Sequence, residues 1–106
     1  MKYLFTAEYN ASGAAGVIKD GGTARQAAIE SLVNSVGGTL DVCYFGALGK
    51  DVMMIVDVPD QAAVTAVLFT VAASGATEQL AGMPLLTAQQ LDDAMKKSPA
   101  YTPPGG

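Results

Sequence analysis

Asp51-Val52-Met53-Met54-Ile55-Val56-Asp57-Val58-Pro59-Asp60 says more about the fold than any other stretch of the 106 residues. Apolar residues run unbroken from Val52 to Val56, so a strand here is apolar on both faces. Pro59 ends it, and Asp60 has the side chain to cap a helix starting just beyond. Upstream, Gly46-Ala47-Leu48-Gly49-Lys50 is short and carries two glycines, which makes Thr39–Phe45 and Asp51–Val58 an antiparallel hairpin. In that turn Gly49 reads as a positive-φ position, with Asp51 bonding back to the loop amides.

Working outward, Tyr3 to Tyr9 alternates Tyr3, Phe5, Ala7 and Tyr9 with Leu4, Thr6 and Glu8, the period of a strand. The small-residue stretch Asn10–Gly22 has room for a helical turn around Ala14–Lys19, and Gly21-Gly22 breaks anything longer. Thr23-Ala24-Arg25-Gln26 reads as a capping box opening a helix with the stripe Ile29, Leu32, Val33 and Val36, stopped by Gly37-Gly38. After Asp60, Val64, Val67, Leu68 and Val71 form a second stripe that Gly75 closes. Thr77–Leu86 reads as a fourth strand, in which Pro84 implies an edge or a bulge. Thr87 and Gln90 make a second capping box, and Leu91, Ala94 and Met95 of that last helix are expected to face inward.

The order β-α-β-β-α-β plus a C-terminal helix predicts an α+β fold of the ferredoxin-like kind. Residues 1–98 form a single domain in this reading, and residues 99–106 form an extended Pro/Gly-rich tail with Tyr101 docked on a neighbouring subunit or on its own sheet. Right-handed crossovers place both main helices on one face of the sheet. The strand Val52–Val56 then has an apolar face that no helix covers, at roughly 25 cal/mol per Å² left in water. A second copy packed sheet to sheet is the simplest cover, giving an assembly of the dimeric α+β barrel type.

Composition narrows the chemistry. Six Lys and Arg against ten Asp and Glu, for a net charge of −4, leave no basic footprint for a nucleic-acid partner. Histidine is absent, which removes the usual base at neutral pH and the commonest metal ligand. Cys43 is the only cysteine, so neither an internal disulfide nor a cysteine zinc cluster forms. No metal or cofactor is expected. The longest apolar run is far short of the ~20 residues of a membrane helix. These features point to a cytoplasmic protein without a membrane or nucleic-acid partner.

The candidate site residues lie mostly on strands. Asp41, Asp57 and Tyr44 are the candidates for catalysis, because a carboxylate enclosed between two sheets acquires a raised pKa and can serve as a base. Their alternative reading is as solvated or cross-interface polar groups. Tyr3, Tyr9, Met53, Met54 and Met83 are candidates for lining an apolar pocket, against the alternative of plain core filling. Gly22, Thr23 and Arg25 form a candidate anion site at a helix start, against an ordinary turn. Cys43, read on one face with Asp41 and Phe45, has no positive neighbour in sequence to activate it and reads as an inert thiol.

With these elements in place, the chain resembles the GYD-domain family of small ferredoxin-like proteins. The resemblance rests on Gly21-Gly22-Thr23-Ala24-Arg25, Gly37-Gly38, the quoted stretch from Asp51 to Asp60, Met83-Pro84-Leu85-Leu86-Thr87, and Tyr101-Thr102-Pro103-Pro104-Gly105. Where the family has Gly-x-Tyr-Asp before the third strand, this chain has Gly49-Lys50-Asp51, one residue shorter and without the tyrosine. The resemblance implies a ferredoxin-like fold that associates through its sheets, and it implies no activity. The expected function is therefore a small non-enzymatic homo-oligomer that binds a small apolar molecule between or beside its sheets. The alternatives are a cofactor-independent monooxygenase or isomerase using an Asp or Tyr in the barrel, and a purely structural assembly subunit.

Overall fold

The computed structural model describes residues 1–106. Its elements are β1 (Lys2–Tyr9), α1 (Ala11–Asp20), α2 (Gly22–Ser35), β2 (Thr39–Phe45), β3 (Asp51–Asp57), α3 (Gln61–Ala73), β4 (Thr77–Leu85) and α4 (Ala88–Met95). The four strands form one antiparallel sheet in the order β2-β3-β1-β4. This is an α+β fold. The doubly apolar β3 lies inside the sheet, as its composition requires, and Pro84 lies on the edge strand β4.

One face of the sheet carries the core. Tyr3, Phe5, Ala7 and Tyr9 of β1 and Val52, Met54 and Val56 of β3 are buried there, beneath Ile29 and Val33 of α2 and Ala63, Val64 and Val67 of α3. Phe5, Val33, Val56 and Val58 are shut off completely from solvent, each contributing roughly 1.5–3 kcal/mol. Tyr3 is buried as well, and its hydroxyl donates to Gln61 Oε1 of α3 at 2.8 Å. That bond satisfies the one polar atom the tyrosine takes into the core.

α2 seats on β2 and α3 on β4, the two edge strands. Three inter-strand steps put those edges ~14 Å apart, whereas helices in contact lie ~8–10 Å apart. The two helices therefore leave a cleft over the middle of the sheet.

Several local expectations need correcting. The segment after β1 is a full ten-residue helix, because the Asn10 side chain caps it by accepting from Gly13 N at 2.9 Å. α1 runs up to Gly21, whose φ of 84° turns the chain straight into α2. Hence α2 starts before Thr23, and the expected capping box at Thr23 and Gln26 does not form. Gly49 has no positive φ. A Cβ there would come within 2.9 Å of Asp51 Oδ2, the free end of a side chain that can turn aside.

The register of β2 against β3 slips between Leu40 and Val42. That irregularity separates Asp41 from Cys43: Asp41 reaches Lys2 on the open face, while Cys43 packs against the core. The second capping box, Thr87 with Gln90, forms as expected. Its helix, however, does not face a core in this chain. Leu91 and Met95 are 50% and 66% exposed, and α4 has no buried residue. Tyr101 is likewise 78% exposed, so the tail does not dock on its own sheet.

Candidate functional site

The face of the sheet turned away from the helices is apolar in the middle and charged at both ends. The pairings Val42 with Ile55, Ile55 with Leu4, and Leu4 with Met83 set one row of apolar side chains across all four strands. A second row runs Tyr44, Met53, Thr6 and Ala81. Nothing in the chain covers these rows, and Tyr44 and Met83 are more than half exposed.

At one end Lys2 bonds Asp41 and lies 3.4 Å from Asp57, which also takes the Met1 ammonium at 2.9 Å. At the other end Lys50 reaches Glu8 at 3.3 Å and Glu78 at 3.7 Å, tying β1 to β4. Lys50 stands in the stretch where the family resemblance calls for a tyrosine.

These partners set the charge states. The hydrogen bond from the Met1 ammonium, helped by Lys2, holds the Asp57 carboxyl below the usual carboxylate range, the opposite of what a poised base requires. The bond to Asp41 raises Lys2, and the bond to Glu8 raises Lys50. Burial pushes the Cys43 thiol up, away from the thiolate that a nucleophile needs. The structure gathers Asp41 and Asp57 around one lysine at a strand end and leaves Tyr44 two rows away, on the same open face.

The cleft between α2 and α3 is the second feature. It encloses about 200 Å³ and is lined by Phe5, Ala7, Tyr9, Val52 and Met54 from the sheet. Ala28, Ile29 and Leu32 line it from α2, and Val67, Leu68 and Val71 from α3. Of the residues singled out as pocket candidates, Tyr9 and Met54 line this cleft. Met53 and Met83 lie on the open sheet face, and Tyr3 belongs to the core. No Asp or Glu lines the cleft.

Arg25, named with Gly22 and Thr23 as an anion site, does not join them at the helix start. Gly22 and Thr23 are exposed, while Arg25 borders the cleft half-buried. Thr77, Val67 and Leu80 were not legible as lining residues. A usable signal did exist for Arg25, the sole arginine of the chain, because arginine tolerates partial burial better than lysine.

The model of the GYD domain matches residues 3–95. This chain belongs to the GYD-domain family. The matched stretch runs from Tyr3 to the last residue of α4, so it takes in nearly all of the sheet, the cleft and the amphipathic helix. A comparison of this GYD-domain protein with curated proteins finds no match. No helix is long and apolar enough to cross a membrane, and no cluster of three or more acidic or sulfur side chains is placed to hold a metal ion.

Proposed function

We propose that this GYD-domain protein is a small non-enzymatic homo-oligomer whose copies pack sheet to sheet and which holds a small apolar molecule beside its sheet, in the cleft between α2 and α3. The observation that carries the assembly is the row Val42–Ile55–Leu4–Met83, apolar across four strands and open on one side. Its flanking ion pairs would form a polar rim around an apolar centre, the usual anatomy of an interface. The strand order, with both main helices on one face, supports reading the fold as ferredoxin-like and the assembly as a dimeric α+β barrel. A lining without a carboxylate favours binding in the cleft over base catalysis there. One thiol without a partner fits a reducing, cytoplasmic setting.

Sedimentation at micromolar concentration, with native mass spectrometry of protein from its own source, tests this reading. The expected result is a mass at least twice 10.8 kDa together with a retained small molecule. A compact, folded 10.8 kDa species would overturn the assembly. A ligand-free oligomer would leave a purely structural subunit. Met53→Lys should dissociate the oligomer while the fold survives, since Met53 lies on the open face. Met54→Lys should unfold the chain, since Met54 is buried beneath the helices.

A further inference from the structure

We propose that the cleft between α2 and α3 takes a small apolar monocarboxylate, with the Arg25 guanidinium and the Thr77 hydroxyl receiving its carboxylate. The proposal rests on the reading that this cleft holds a ligand, and it adds the charge of that ligand. Among the six cationic side chains, Lys2, Lys50 and Lys96 form ion pairs, and Lys19 and Lys97 stand exposed in water. Arg25 is the exception. It is half-buried, its side chain makes no ion pair or hydrogen bond, and its Nε is closed off from solvent without a protein partner. Thr77 Oγ1 is in the same condition, and both residues line the same apolar cleft.

A guanidinium offers donors in a planar fork that matches a carboxylate, and a buried donor without an acceptor is costly. An anion entering the cleft would give the guanidinium the acceptor it lacks once Arg25 and Thr77 turn toward it, and no acidic residue of the lining would repel it. Asp20 borders a neighbouring polar pocket that Arg25 also touches, yet the two form no ion pair. Most of the remaining lining is hydrocarbon, interrupted by Thr6, Thr70 and Ser74. At about 30 Å³ per water-sized group, 200 Å³ holds roughly seven non-hydrogen atoms, which suits the carboxyl end of an aromatic or short-chain aliphatic acid, a longer tail reaching the mouth of the cleft.

Octanoate and its neutral counterpart octanol separate charge recognition from apolar binding. Both are titrated into the full chain, with calorimetry for Kd and backbone amide shifts for location. Octanoate is expected to bind about tenfold more tightly than octanol, as one charge-assisted interaction allows. Its shifts should fall on Arg25, Ile29, Val67 and Thr77. Arg25→Gln should bring the two Kd values together by weakening octanoate alone, and Thr77→Val should weaken octanoate in the same sense. Equal affinity for the two probes in the wild-type chain would overturn the charge recognition while leaving an apolar cleft. Binding of neither, or shifts confined to Leu4, Met53 and Ile55 on the open face, would overturn the cleft reading as well. The wild-type comparison needs no variant, so a substitution that fails to fold leaves the test intact.

Discussion

Gly13 and Gly16 lie three residues apart on α1, yet a methyl group would meet different surroundings at each. At Gly13 a Cβ would fall 2.1 Å from the Ala76 carbonyl oxygen and 2.9 Å from the Tyr9 ring. The close approach lets Asn10 bond to the turn just before β4, through its backbone N–H to Ala76 O at 3.1 Å and through its side chain to Gly75 O at 2.6 Å. At Gly16 nothing lies within 4 Å. Gly13→Ala should therefore destabilise by ~1–3 kcal/mol as an overpacking change. Gly16→Ala should stabilise by ~0.5–1 kcal/mol through helix propensity. Thermal melts of the two variants should move in opposite directions. A Gly13→Ala melt equal to wild type would mean that α1 can pull away from β4 without loss.

α4 has good local chemistry and no partner in its own chain. Its capping box is complete, its Leu91 and Met95 are exposed, and no other element packs substantially against it. Deleting residues 86–106 should leave the circular dichroism and melting of the sheet body nearly unchanged but weaken assembly, read as a fall in sedimentation mass. Loss of folding on truncation would show that the arm belongs to the core. The same helix shows how far a sequence can be read. Capping and amphipathicity are local, so the existence of α4 was legible; whether an apolar stripe meets a core is decided by distant chain, so the inward face expected of Leu91 was not. Thr23 misled for a related reason, since a Thr-x-x-Gln pattern also fits inside a helix that starts earlier. Alternation failed at Asp41 because one slipped pairing moves every later side chain to the other face. The cleft left no trace in any single segment. It arises from two helices seated on strands that are not neighbours.

The whole molecule is drawn out, 56 × 34 × 25 Å with a radius of gyration of 17.0 Å, against ~13 Å for a compact chain of this length. Its open sheet face is bracketed by ion pairs whose contribution follows pH. Because Asp57 is held below its ordinary value, its share of stability is complete above pH ~4 and is lost as pH falls through the depressed value. Lys2 is raised, so its share persists below its usual pKa of 10.5 and goes as pH rises through the raised value. Comparing the urea midpoints of wild type and Asp57→Asn at pH 7 and pH 3 should show a gap that closes in acid. A gap of constant size would mean that Asp57 contributes by something other than its charge. The projecting arm of α4 and tail has one more consequence. Two sheets that cover each other satisfy both faces at once, so that contact ends with a pair. An arm that seats on a different surface of the next copy has no such stopping point. Its rotation either returns to the start as a ring or runs on as a fibre, and residues 86–106 would set which.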